Sequence, residues 1–208
     1  MSTLVIVDIQ NDFCPGGALE VPEGDQILPT VNHLINQFDN IVITQDWHPE
    51  GHKSFASSHP GKSPYDTVKM PYGTQVLWPD HCVQGSEGAD FHPELNTRAA
   101  QLIIRKGYRT EIDSYSAFFE NDHSTSTGLH GYLKDLGFHD LYFCGLATDF
   151  CVKWSVLDAL QLGYNATLIT DATKGIDMDG SVEAAFEEMK EAGAGFVSSE
   201  DINESELT

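Results

Sequence analysis

Six short runs of apolar, largely β-branched residues recur along this chain with helical stretches between them. That rhythm constrains the fold more than any other feature. The runs are 4–7, 41–44, 102–105, 141–144 and 166–169, with a weaker one at 194–197. Residues 27–38, 128–136, 148–162 and 181–192 carry helical spacing, with leucine pairs in the first three, and Gly137 and Gly163 supply stop signals. Continuously apolar strands are buried on both faces, and strands alternating with helices build a parallel sheet covered on both sides. The predicted class is therefore α/β, a three-layer αβα sandwich on a six-stranded, mostly parallel sheet.

The 208 residues, 40% of them apolar, suffice for one substantial core, and no repeat or Gly/Ser linker divides them. One domain, 1–208, is expected. No apolar run reaches the roughly 20 residues of a membrane span. The N-terminus enters a strand without a basic leader, and four cysteines without a C-x-x-C pair suit reduced thiols, so a cytoplasmic location is expected. With 32 acids against 11 bases, the net charge of −21 argues against nucleic acid and anionic membranes as partners. No interface is readable, and a homo-oligomer stays open. The acidic tail, 199–208, is expected to fray.

The segment from Asp46 to Pro93 breaks the rhythm: eleven Pro or Gly residues, five histidines and two tryptophans, with little periodicity. Irregular stretches of that length are usually functional. In open α/β sheets, sites lie beyond the carboxyl ends of the strands. Asp8, Asp46, Lys106 and the turn Gly145–Cys151 all follow predicted strands, so their polar groups should converge on one edge.

At that edge Cys151 falls in the first turn of a predicted helix, with Thr148 as its expected N-cap. Unpaired N–H groups and the positive dipole end there acidify a thiol and can hold an oxyanion. Cys151 can equally be read as a small buried hydrophobe. Asp8 could serve as a proton carrier or only cap a loop, as Asp12 could. Lys106 is by default a solvated lysine; beside Asp8 it would pair with the carboxylate and favour a thiolate.

Asp46 and His48, two apart, point the same way where strand alternation persists, and His81 is the best placed third ligand. One divalent metal ion, zinc or alternatively iron or manganese, suits two imidazoles and a carboxylate. His52, on the turn after Gly51, is a further and weaker candidate. Phe13 and Trp78 read as core aromatics or as two walls for a flat ring.

These blocks bear a resemblance. Residues 7–17 (VDIQNDFCPGG), 45–49 (QDWHP), 77–83 (LWPDHCV), Lys106-Gly107 and 145–151 (GLATDFC) stand in this order over residues 4–198, and the chain resembles the nicotinamidases (pyrazinamidases) of the isochorismatase-like cysteine hydrolase superfamily. The resemblance implies a catalytic triad of Asp8, Lys106 and Cys151. It implies metal ligands Asp46, His48 and His81, with a fourth near His52, where the spacing after His48 departs from the family's. It further implies a cis peptide before Ala147, an oxyanion hole from the N–H groups of Ala147 and Cys151, and a pyridine pocket of Phe13, Leu19, Trp78 and Tyr115. The expected substrate is nicotinamide, hydrolysed to nicotinate and ammonia through a thioester in NAD salvage, with pyrazinamide also accepted. Isochorismatases lack the cysteine. Related carbamoyl-amide hydrolases share the triad without the metal trio. A metal-bearing thiol sensor would leave Asp8 and Lys106 unexplained.

Overall fold

The computed structural model describes residues 2–202. Six strands form one sheet: β1 (Ser2–Val7), β2 (Asn40–Asp46), β5 (Leu102–Lys106), β6 (Asp140–Leu146), β7 (Asn165–Lys174) and β8 (Gly195–Val197). Their order is β5-β2-β1-β6-β7-β8, and every pairing is parallel. Four helices cover it: α1 (Leu28–Ile35), α2 (Leu129–Leu136), α3 (Lys153–Gln161) and α4 (Ser181–Glu191). The three layers follow from alternation along the central strands. Leu4 and Ile6 pack with Val31 and Leu34 of α1, whereas Val5 and Val7 pack with Leu133, Val156 and Met189 of the other three helices. Burying each such side chain contributes about 1.5–3 kcal/mol, which is why β1 and β2 are apolar on both faces.

The chain proceeds from β1 to β2 and β5 on one side, then crosses to β6 on the other. The β1/β6 boundary is therefore the switch point where a doubly wound sheet opens a crevice. Gly145 lets the strands close there. It sits at φ +113°, and a Cβ would stand 2.1 Å from the Val7 carbonyl oxygen.

Three expectations need correction. The stretch after β6 opens with a π-helical turn, Thr148–Val152, before α3, and its N-cap is Ala147, not Thr148. The wider turn moves the cap back by one residue: the Ala147 carbonyl accepts from the N–H groups of Phe150 and Val152 (both 3.1 Å), and the Thr148 hydroxyl bonds that of Thr173 (2.7 Å). The segment after Asp46 is also more ordered than its composition suggests. It holds a hairpin, β3 (Thr67–Met70) and β4 (Gly73–Val76), and is pinned at its middle where Trp78 exchanges backbone hydrogen bonds with Ser54 and Ala56 (2.8 Å each). Of the tail, Ser199–Asp201 forms a short 3-10 turn and Ile202 is buried, against the expected fraying. Residues 203–208 lie outside the described residues. Among the described residues, no helix is long and apolar enough to cross a membrane.

Candidate active site

Asp8, Lys106 and Cys151 meet at the carboxyl edge of the sheet, each delivered by the end of a strand. Asp8 takes a left-handed conformation (φ 48°), tolerable for aspartate, and its Oδ1 accepts a hydrogen bond from the Thr44 hydroxyl (2.6 Å). Lys106 is fully buried, not solvated. Its Nζ stands 2.8 Å from Asp8 Oδ2, 3.1 Å from Asp46 Oδ1 and 3.5 Å from Cys151 Sγ, and donates to the Ser114 carbonyl (2.8 Å). Burial alone would depress its pKa; Asp46 and Asp8 reverse that and hold it well above the ordinary value, so it stays charged. The Cys151 thiol and Asp8 both meet the Lys106 ammonium.

The thiol itself departs from expectation. Burial pushes the pKa of Cys151 well up, with Asp8 and Asp46 adding to the rise and Lys106 opposing it. Burial is thus the main influence against a thiolate here, and the two nearby carboxylates weaken the help that the single ammonium gives. Burial also raises Asp8 above the usual carboxylate range, against the pull of Lys106, which suits a group that must both take and return a proton.

One step away, Asp46, His48 and His81 bring ligand atoms within 4.8 Å of one another. Both histidines are oriented from behind: Nδ1 of His48 donates to the Gly107 carbonyl (2.8 Å), and Nδ1 of His81 to the Pro79 carbonyl (2.7 Å). That turns both Nε2 atoms toward Asp46 Oδ2, at 2.9 and 3.4 Å. His48 Nε2 is buried without a well-formed hydrogen bond. A lone pair facing a carboxylate calls for a cation between them, so the donor set fits a divalent ion. Gly107 is required here: at φ +66°, its Cβ would sit 2.5 Å from the His48 ring.

His52 fits less well. Its Nδ1 accepts from Ser54, and its Nε2 donates to the carbonyls of Arg109 (2.9 Å) and Ile112 (3.1 Å). Although it joins His48 and Asp113 in a second cluster, neither of its nitrogens is free for an ion. It supports the His48 ring, whose centre is 4.3 Å away.

Phe13, Leu19, Trp78 and Tyr115 line one pocket with Ala147 and Cys151, beside Asp46 and His81. The phenol oxygen of Tyr115 accepts from Trp78 Nε1 and Gln75 Nε2 (3.0 Å each). The expected cis peptide is present between Leu146 and Ala147. Sequence reasoning missed three lining residues: Asp113, Phe150 and Ile176. Phe150 stood next to the candidate nucleophile, and Ile176 follows a strand end, the rule that located the others. Nothing local marked Asp113, whose carboxylate is held by Gln75 and the Ser114 N–H (2.8 Å each).

The trio carries a pH signature. Burial would lower the pKa of His48, but Asp46 raises it from 6.5 to about 8. A folded-state value above the unfolded one stabilises fully below the unfolded pKa and is lost as pH rises through the folded pKa. Metal-free protein should therefore melt at progressively lower temperature between pH 6.5 and about 8. His52, whose pKa burial lowers, titrates below that window. Thermal melts of chelator-treated protein test this: the slope should vanish in His48→Gln, and a flat wild-type profile would refute the coupling.

Comparison with known proteins places the chain in a family. The isochorismatase domain model matches residues 2–201. The nicotinamidase of Acinetobacter baylyi is 56% identical over 199 residues, covering 96% of this chain and 93% of that protein. A solved nicotinamidase/pyrazinamidase of Acinetobacter baumanii superposes with a TM-score of 0.95 at 55% identity, covering 96% of this chain and 97% of the other. The pyrazinamidase of Pyrococcus horikoshii, solved in complex with zinc, gives 0.77 at 39% identity, covering 95% and 98%. The chain belongs to the isochorismatase-domain family, on its nicotinamidase branch.

Proposed function

We propose that this chain hydrolyses nicotinamide to nicotinate and ammonia, with Cys151 as nucleophile, Asp8 as proton carrier and Lys106 as the fixed positive charge between them. The observation that carries the reading is the juxtaposition of a cysteine–aspartate–lysine cluster with an aromatic pocket and a metal-ligand trio, Lys106 touching both clusters. Its nicotinamidase relatives support the substrate.

Asp46, His48 and His81 would hold one divalent ion, zinc on the strength of the Pyrococcus horikoshii pyrazinamidase complex. Such an ion would supply Lewis-acid chemistry at the pocket edge, anchoring the pyridine nitrogen directly or through water. Phe13, Leu19, Trp78 and Tyr115 hold the ring, leaving its carboxamide against Cys151. Asp8 takes the thiol proton as sulfur attacks the amide carbon. The N–H groups of Ala147 and Cys151 receive the oxyanion, and each such donor is typically worth about 2.7–4 kcal/mol. Asp8 then protonates the departing ammonia. A water deprotonated by Asp8 cleaves the thioester, releasing nicotinate and restoring the thiol.

A redox sensor needs an exposed, low-pKa thiol, and Cys151 is buried with its pKa raised. The direct test is ammonia release from nicotinamide by purified, zinc-supplemented protein, with nicotinate identified as the co-product. Pyrazinamide should also be cleaved. Release from carbamoyl amides with none from nicotinamide would overturn the substrate assignment.

A further inference from the structure

The pocket wall formed by Ile176 is held by a residue to which the mechanism gives no task. Ile176 lies in the connection between β7 and α4, and its side chain lines the pocket with Phe13, Leu19 and Cys151. Asp149 belongs to the nucleophile turn, two residues before Cys151, and is buried. It neither caps its own helix nor reaches Lys106. Instead its Oδ1 accepts the Ile176 N–H (3.0 Å), and its Oδ2 accepts the Asp177 N–H (2.9 Å) and the Ser181 hydroxyl (2.5 Å). The chain is pressed against this carboxylate: a Cβ at Gly175 would lie 3.0 Å from Asp149 Oδ1. Upstream, Thr173 bonds the Gly145 carbonyl (2.9 Å) and the Thr148 hydroxyl (2.7 Å), while Leu146 and Lys174 are paired across the sheet. Nucleophile turn and pocket wall are thus one hydrogen-bonded unit.

We propose that Ile176 is the specificity-determining wall that limits substitution on the substrate ring, and that Asp149 is the positioning residue that fixes this wall relative to the Cys151 sulfur. The proposal rests on the nicotinamidase reading. A carboxylate suits the task because one group must accept three hydrogen bonds, and charge-assisted bonds of this kind are about twice as strong as neutral ones. An asparagine in its place can satisfy fewer of those donors, and its own N–H groups would face another. The loop would then loosen while the side chains that perform the chemistry keep their positions.

The experiment measures kcat/KM for nicotinamide and for nicotinamides carrying one methyl group at each free ring carbon. Wild type, Ile176→Ala, Asp149→Asn and Ser181→Ala are compared. The informative quantity is the ratio of methylated to parent kcat/KM within one preparation, because it is independent of the fraction of enzyme that folds. Ile176→Ala should raise that ratio for at least one ring position by about tenfold, the scale on which a pocket discriminates a single methyl. Asp149→Asn, although it touches no substrate, should raise it at the same position, and Ser181→Ala, which removes one of the three bonds, should do so more weakly. An unchanged ratio in Ile176→Ala overturns the wall. A raised ratio there with none in Asp149→Asn overturns the positioning role. Failure of wild type to release ammonia from nicotinamide would instead remove the functional reading beneath both.

Discussion

Cys151→Ala should bind nicotinamide and release no measurable ammonia, a loss of about 10⁶-fold by analogy with removal of a catalytic nucleophile elsewhere. The substitution deletes one sulfur atom from a site whose binding walls come from other elements, namely Phe13 and Leu19 after β1, Trp78 in the long segment and Ile176 after β7. Those walls stay in place, so affinity should survive where turnover does not. Lys106 also keeps both carboxylates as partners in the variant and is not left as an unpaired buried charge. The complementary experiment quenches wild-type enzyme during turnover and looks for the acyl mass on the peptide containing Cys151, absent from the variant. Cys151→Ser separates attack from packing. Its hydroxyl fills the space, but its proton is far harder to remove than that of a thiol, so it should follow the alanine variant in activity. Turnover in Cys151→Ala within tenfold of wild type would make the thioester route untenable.

The parts of the site that were legible share one physical reason. A parallel sheet places the last residue of every strand on one edge, so a sequence that ends apolar runs in Asp8, Asp46 and Lys106 announces a polar cluster before any contact is seen. The D-x-H pair was readable through strand alternation, and His48 Nε2 indeed faces Asp46. What stayed hidden depends on long-range compensation. Nothing around Lys106 in sequence signals that two carboxylates from other strands will neutralise it in a fully buried position. Burial, with the same carboxylates adding to it, inverts the inference about Cys151, where a helix N-terminus alone would have acidified the thiol. Thr148 failed as a cap because the opening turn is π-helical, and Asp149 in that turn gives its carboxylate to a distant loop. His52 was plausible by composition but had already committed both nitrogens to Ser54 and to backbone carbonyls. Local patterns report where a side chain starts; the partner that claims it lies elsewhere in the chain.

That compensation makes the second large effect two-sided. Asp8→Asn should lower kcat by about 10⁴-fold, the upper range for general acid–base catalysis, because one carboxylate serves attack, ammonia departure and thioester hydrolysis. The same variant should alkylate faster with iodoacetamide at fixed pH. Burial is the main reason the Cys151 pKa is raised, but the negative charge of Asp8 adds to the rise, while Lys106 opposes it. Removing the Asp8 charge leaves Lys106 less opposed, so the thiol titrates at lower pH and the thiolate fraction grows. Lys106 retains Asp46 at 3.1 Å and the Ser114 carbonyl at 2.8 Å, so its ammonium remains compensated and the fold should hold. Faster alkylation with lost turnover identifies Asp8 as the group that moves protons during the reaction rather than one that prepares a thiolate beforehand. Slower alkylation together with lost turnover would mean the opposite: Asp8 would then be needed to ionise the resting sulfur, and the two-carboxylate balance around Lys106 would not describe the working enzyme.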